Sequence, residues 1–331
     1  MLDCIDLYCG AGGLSLGLKD AGIKVRASVD ISQDCEQTYS QNLSKDVFIC
    51  KDLREVSADE LFGRLKHKDR FMVAGGPPCQ LFSRLNRMGA DKIDGLQPYI
   101  RLIRELDPHY VVFENVPNII NRGVAWNYLM NSFARLKYKV SVNIVRAAEY
   151  GVPQMRERVI VIAARQRIEL REGKHSPRSV RDAIGHLPDV DCSIPNHVTL
   201  KLSAENLCRI RAIEAGGKTR ETGTAFSDSY SRMAWQLPSP TITTKCISFS
   251  NGRFGHPKFN RGITIREAAS LQGFPETFEF FGSLWSCARQ VGNAVPPAIA
   301  RVIGETILAD YKSSRLKGRS RTIRAKPAEV L

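Results

Sequence analysis

An α/β fold is the reading this sequence supports: a mostly parallel sheet with helices on both faces. Three observations carry it. Short apolar runs alternate with helical patterns through the first half of the chain. Glycine- or proline-rich turns close several of those runs. Asp30, Glu114 and, after a short turn, Cys79 follow the carboxyl ends of such runs. That edge of a parallel sheet is where ligands gather.

The elements follow in order. Cys4 to Tyr8 reads as a first strand, Gly10 to Gly13 as a turn and Leu14 to Ala21 as a helix. Lys24 to Val29 is a second strand ending at Asp30, followed by a helix through Asn42. Val47 to Cys50 leads to Asp52, Phe71 to Ala74 runs into Gly75-Gly76-Pro77-Pro78-Cys79, and Tyr110 to Phe113 ends in Glu114-Asn115-Val116. Strand, helix, strand in this rhythm implies parallel pairing. Lys139 to Val145 and Arg158 to Ala164 read as an antiparallel pair. After Arg165 the rhythm fades into polar, glycine-rich and cationic texture. A helical pattern resumes at Thr264, and Gly292 to Pro297 opens a last helix through about Tyr311, followed by a basic tail expected to be mobile. The expected division is 1–184, a smaller unit over 185–265, and a return to the first unit over 266–331.

With 331 residues, the chain has room for one large and one small unit. No apolar run reaches the roughly 18 residues that span a bilayer. The N-terminus lacks a basic region and a small-residue cleavage site, so a cytoplasmic enzyme with no membrane partner is expected. The formal net charge of +14 points to a polyanion partner, because cations gain by releasing phosphate counterions. Nine cysteines, with no CxxC pair, fit neither a zinc site nor a disulfide framework. Most should be buried fillers, and no metal is expected.

Cys79 stands apart. A filler thiol does not need Gly-Gly-Pro-Pro ahead of it, whereas a nucleophile held on a rigid turn does. The segment after it carries Ser83, Arg84 and Arg87 and suits a basic loop over a polyanion. Glu114 alone could cap the next helix, but at the same sheet edge as Cys79 it suits chemistry. The turn through Gly10 and Gly12, with Asp30 at the end of the next strand, suits a nucleoside cofactor. NAD, FAD and S-adenosylmethionine all remain open on those residues. Arg156 and Arg158, spaced by two before a strand, fall on one side, and in isolation they read as a solvated salt-bridge face.

Taken in order, these blocks resemble the C5-cytosine DNA methyltransferase family. The shared motifs are DLYCGAGG at 6–13, GGPPCQLFS at 75–83, ENV at 114–116, QMRER at 154–158, REAASLQGFP at 266–275 and GNAVPP at 292–297. The resemblance implies a Rossmann-like, S-adenosylmethionine-dependent methyltransferase sheet with a small, mostly irregular or β target-recognition unit. By that resemblance Cys79 would bond C6 of cytosine, Glu114 would hold N3 and the exocyclic amine, and Arg158 would hold the O2 side. Arg156 would support the site or a phosphate. Tyr8, Gly10, Gly12 and Gly13 would line the cofactor, with Asp30 on the ribose, Asp52 on the adenine amine and Asn293 closing the pocket. The family more often has Glu where this chain has Asp30. Ser83, Arg84, Arg87, Arg232 and Thr244 would contact DNA.

The expected function is methyl transfer to C5 of a flipped-out cytosine in a specific duplex DNA sequence. A monomer is expected, alone or beside a cognate restriction endonuclease. Three rivals stand beside it. A tRNA methyltransferase of the same family would carry a Cys-Phe-Thr element, which is missing from this sequence. A non-catalytic DNA-binding member would not need intact Cys79, Glu114 and Arg158. The glycine turn alone would also suit a dinucleotide oxidoreductase.

Overall fold

A computed structural model describes residues 1–78, 93–218 and 230–324. Its centre is a seven-stranded sheet in the order β3-β2-β1-β4-β5-β8-β6. The strands are β1 (Asp3–Leu7), β2 (Lys24–Asp30), β3 (Phe48–Cys50), β4 (Phe71–Gly75), β5 (Tyr110–Asn115), β6 (Lys139–Arg146) and β8 (Glu157–Ala164). The first five strands are parallel to one another. β8 inserts antiparallel between β5 and β6, pairing Glu114 with Ile160 on one side and Asn143 with Ile160 on the other.

Side-chain alternation explains why helices cover both faces. Ile5, Leu7, Val73, Val111 and Phe113 enter one core, against α3 (Ala58–Arg64), α4 (Leu96–Leu106) and α5 (Gly123–Arg135). Cys4, Met72, Ala74 and Val112 enter the other, against α1 (Gly13–Asp20) and α10 (Pro297–Arg324). α2 (Gln33–Asn42) starts at a Ser32 cap, whose hydroxyl accepts from the Cys35 amide. α10 corrects the reading of the C-terminal tail: the helix does not stop near Tyr311 but continues to Arg324.

A third core joins α6 (Val180–Ile184), α8 (Ile265–Gln272) and α9 (Leu284–Asn293) to Met233, Ile242, Ile247 and Ile263. It draws on all three spans of the expected division. A small cluster of Ile210, Ile213 and Phe249, beside α7 (Ala204–Arg211), lies wholly within 185–265. Regular structure is sparse there. β9 (Ser239–Pro240) pairs in parallel with β7 (Gln154–Met155), tying this region to the approach to β8. In the third core Phe274, Phe278 and Phe280 meet in tilted and edge-on pairs with ring centroids about 5 Å apart, and such ring pairs are worth about 0.5–1.5 kcal/mol each.

Candidate active site

The carboxyl ends of β1, β2, β4 and β5 open into a cleft of about 1670 Å³. Its walls bring together residues far apart in sequence: Tyr8, Gly10, Asp30, Asp52, Glu114, Arg158, Thr244 and Asn293. Pro77 and Pro78 line the same cleft and lead directly toward Cys79 in the sequence. Cys79, Ser83, Arg84 and Arg87 lie outside the described residues.

The turn after β1 is held by its neighbours. Gly10 takes a left-handed φ of 53°, and open space stands where a Cβ would project. Its amide donates to Asp30 Oδ2 at 2.8 Å, and the Ser32 amide donates to Oδ1 at 3.0 Å. Burial pushes the Asp30 carboxyl up, and these two amides oppose the shift. Tyr8, also left-handed with φ 59°, donates its hydroxyl to the Gly95 carbonyl at 2.9 Å. Gly12 and Gly13 serve the turn differently. The Gly12 amide is used on the Cys9 carbonyl, and a Cβ on Gly13 would stand 2.4 Å from the Val295 carbonyl. That glycine therefore lets the segment after Asn293 press against the turn.

Asp52 faces the cleft already joined to Arg54, whose Nε donates to its Oδ1 at 3.0 Å. That bond lowers the Asp52 carboxyl. Asn293 is exposed at the last position of α9.

At the end of β5, Arg158 Nε meets Glu114 Oε1 at 2.9 Å, with both side chains largely buried. A Cβ on Gly76 would come within 2.8 Å of Glu114 Oε2, so the glycine makes room for this carboxylate. Asn115 Nδ2 donates to the Pro77 carbonyl at 2.9 Å and locks the end of β5 to the turn before Cys79. The sheet thus holds a carboxylate, a guanidinium and a rigid approach to a thiol in one concavity.

Arg156 is a correction. It is not the solvated arginine of the reading in isolation, although it lines the cleft. Its side chain is fully buried and donates to the carbonyls of Ile242, Gly292 and Ala294 at 2.8 to 3.1 Å. Gln154 works beside it, accepting from the Ile242 amide and donating to Gln272 Oε1. Together they fasten β7 to the segment after β9 and to the end of α9. Arg232 is likewise drawn inside. It is buried, and it donates to the carbonyls of Ile210, His256 and Phe259 and to Asn260 Oδ1. Burial holds its guanidinium below the usual arginine range. Arg266 is likewise buried, donating to carbonyls of Pro195, Pro275 and Phe278.

A buried polar group escaped the sequence reading. Asp6, wholly buried under the glycine turn, accepts from the Ser15 hydroxyl at 2.6 Å, and Ser28 contacts Tyr39 Oη at 2.7 Å. Its one sequence signal is a carboxylate in the apolar strand Asp3-Cys4-Ile5-Asp6-Leu7. Cys4, Cys9, Cys35, Cys246 and Cys287 are buried, and burial pushes Cys35 and Cys246 up to about 12. Such thiols are poor nucleophiles. No cluster of three or more His, Cys, Asp or Glu among the described residues could hold a metal ion.

The C-5 cytosine-specific DNA methylase family model matches residues 2–309. The chain belongs to that family. It is a DNA (cytosine-5)-methyltransferase. The Type II methylase M.HgiDII of Herpetosiphon aurantiacus is 37% identical, over 92% of this chain and 94% of that protein. The Type II methyltransferase M1.HphI of Haemophilus parahaemolyticus is 32% identical, over 93% and 87%. Among solved structures, an E. coli prophage protein described as a DNA modification methyltransferase superposes with a TM-score of 0.76 at 26% identity, over 93% of this chain and 99% of that one. The S. pombe Dnmt2 methyltransferase, at 18% identity, shares the fold with a TM-score of 0.66, over 92% of this chain and 96% of that one. Among the described residues, no helix of this methyltransferase is long and apolar enough to cross a membrane.

Proposed function

We propose that this methyltransferase moves a methyl group from S-adenosylmethionine to C5 of a cytosine flipped out of a specific duplex DNA sequence. One observation carries the reading. The Glu114–Arg158 pair, the approach to Cys79 and the turn at Gly10 with Asp30 and Asp52 all line one cleft. The cleft suits the donor: an open backbone turn stands beside two carboxylates. Each Asp30 oxygen accepts one amide and keeps a lone pair for a ribose hydroxyl. Asp52 would accept from the adenine amine, and Tyr8, Gly10 and Asn293 would wall the site. When bound, the donor supplies a methyl group on an electron-poor sulfur.

The chain's own residues prepare the other partner. The Cys79 thiolate would add to C6 of cytosine, making C5 nucleophilic. Glu114 would hydrogen-bond N3 and the exocyclic amine and so stabilise charge developing on the ring. Arg158 would orient Glu114 and hold the O2 side. After transfer, loss of the C5 proton and departure of Cys79 would restore the aromatic ring. Flipping costs a few kcal/mol, which contacts to the phosphates would offset.

Target reading would fall to 185–265, with 266–331 supporting it and returning to the first unit, and Thr244 lines the cleft. Ser83, Arg84 and Arg87 are proposed as phosphate contacts. The Type II names of its relatives favour a modification role beside a restriction endonuclease.

Transfer of a labelled methyl group, measured in parallel on duplex DNA and tRNA, tests the reading. Duplex labelling is expected, lost in Cys79→Ser while DNA binding persists. Labelling of RNA alone would overturn the substrate, and binding without turnover would mark a non-catalytic member. A failure to trap the protein on 5-fluorocytosine DNA with donor present would overturn the covalent step. Bisulfite sequencing of DNA from expressing cells then maps the site.

A further inference from the structure

The cleft does not account for all of the positive charge. Parallel strands place their amino ends at the edge opposite the active site, together with the carboxyl end of β8. That edge is strongly cationic. Lys66, Lys68 and Arg70 occupy the loop into β4, Lys137 and Lys139 lead into β6, and Arg165 follows β8. All but the half-buried Arg70 are exposed. The amides of Lys66 and His67 donate to Asp3 Oδ2 at 2.8 Å and seat this loop at the start of β1. From β1 to β6 the row crosses four strand spacings, roughly 19 Å.

Two further features mark the edge as a surface that receives an anion. First, it is concave: a hollow of about 260 Å³ lies between Arg70, His109, Tyr110, Arg165 and Asp310. Second, two of its nearby carboxylates are paired with arginines. Asp107 pairs with Arg165 and Asp3 with Arg26, while Asp310 accepts from the neutral Tyr110 and Gln166 and keeps its charge, as does exposed Asp69 among the lysines. Helix dipoles do not explain the excess. α1, α3, α4 and α5 each carry a cation of their own in the last turn, namely Lys19, Arg64, Arg104 and Arg135. The six cations named above lie beyond those helices, and of these Arg165 is already paired with Asp107. Arg70 and Arg165 also help to lower the His109 imidazole, after the larger effect of burial.

We propose that this edge binds the phosphates of a second duplex DNA segment while the cleft engages the first. β5 alone separates the two surfaces by roughly 20 Å, so one straight duplex would not serve both. Phosphate contacts of this kind position without reading sequence. The enzyme would thereby hold neighbouring DNA during transfer between sites.

Sedimentation of the full-length protein with a fluorescent 14-base-pair non-target duplex at low salt tests this. Wild type should bind two duplexes. The triple variant Lys68→Ala, Arg70→Ala, Lys139→Ala should bind one, or bind the second at least tenfold more weakly. It should methylate a short target duplex at the wild-type rate, which also shows that it folds. A charge-conserving triple, Lys68→Arg, Arg70→Lys, Lys139→Arg, should restore the second duplex. Binding of only one duplex by wild type, or an unchanged second affinity in the alanine triple, would overturn the proposal.

Discussion

Glu114 and Arg158 face each other at 2.9 Å across the seam where the parallel half of the sheet meets its antiparallel strand. Glu114 is next to last in a strand that runs toward the cleft, and Arg158 is second in one that runs away from it. The seam therefore delivers opposite charges to one point. The pair lies in a largely buried setting, where a carboxylate keeps its direction and is shielded from water.

Glu114→Gln should lower the single-turnover methylation rate about 10²- to 10³-fold, the range seen when one donor to developing charge is removed. Arg158→Ala should act in the same direction. Donor affinity, measured by calorimetry, should hardly change in either variant. Near-wild-type rates would reduce the pair to a structural ion pair.

Arg156→Met should be destabilising, because buried carbonyls of Ile242, Gly292 and Ala294 lose their donor. A loss of about 2–4 kcal/mol is expected, visible as a lower thermal midpoint. Arg156→Lys should rescue it poorly, since a single ammonium does not reproduce the planar fork. The KM for donor should rise in both, because Gly292 and Ala294 flank Asn293. An unchanged midpoint would contradict the clamp.

Arg232→Ala distinguishes a structural arginine from a phosphate contact. The protein should melt at lower temperature, while the slope of log affinity for DNA against log salt stays the same. A slope smaller by about 0.9 would restore one phosphate contact to Arg232.

Asp6 predicts a pH dependence. Burial pushes its carboxyl up to about 7 from 3.8, against the Ser15 hydroxyl that donates to it. Between those values the folded chain binds the proton more readily than the unfolded chain. Its contribution is therefore full below about pH 4 and is lost as pH rises toward 7. The full swing is on the order of 4 kcal/mol. Thermal midpoints of wild type should fall relative to Asp6→Asn across that window. Parallel curves would show that Asp6 does not titrate there.

Much of the sheet and the cleft was legible because the signals are local. A strand, its turn and the residue that ends it are contiguous, so Gly10, Asp30 and Glu114 could be placed at one edge from spacing alone. The burial of Arg156 and Arg232 was not legible for the opposite reason. Their acceptors are main-chain carbonyls between 22 and 138 positions away, a chemistry that every residue carries and no motif displays. Asp6 was overlooked because a carboxylate in an apolar strand gains its meaning only from the serines above it. The basic edge was visible as net charge but not as a place.

Residue order by itself determined the alternating strands, the family blocks and the kind of chemistry, since each depends on neighbours within a few positions. Tertiary structure alone decided which arginine meets a carboxylate and which is consumed by carbonyls. It also decided where the surplus cations collect. The reason is that burial and distance through space set the cost of an unpaired charge, and both exist only once the chain has packed.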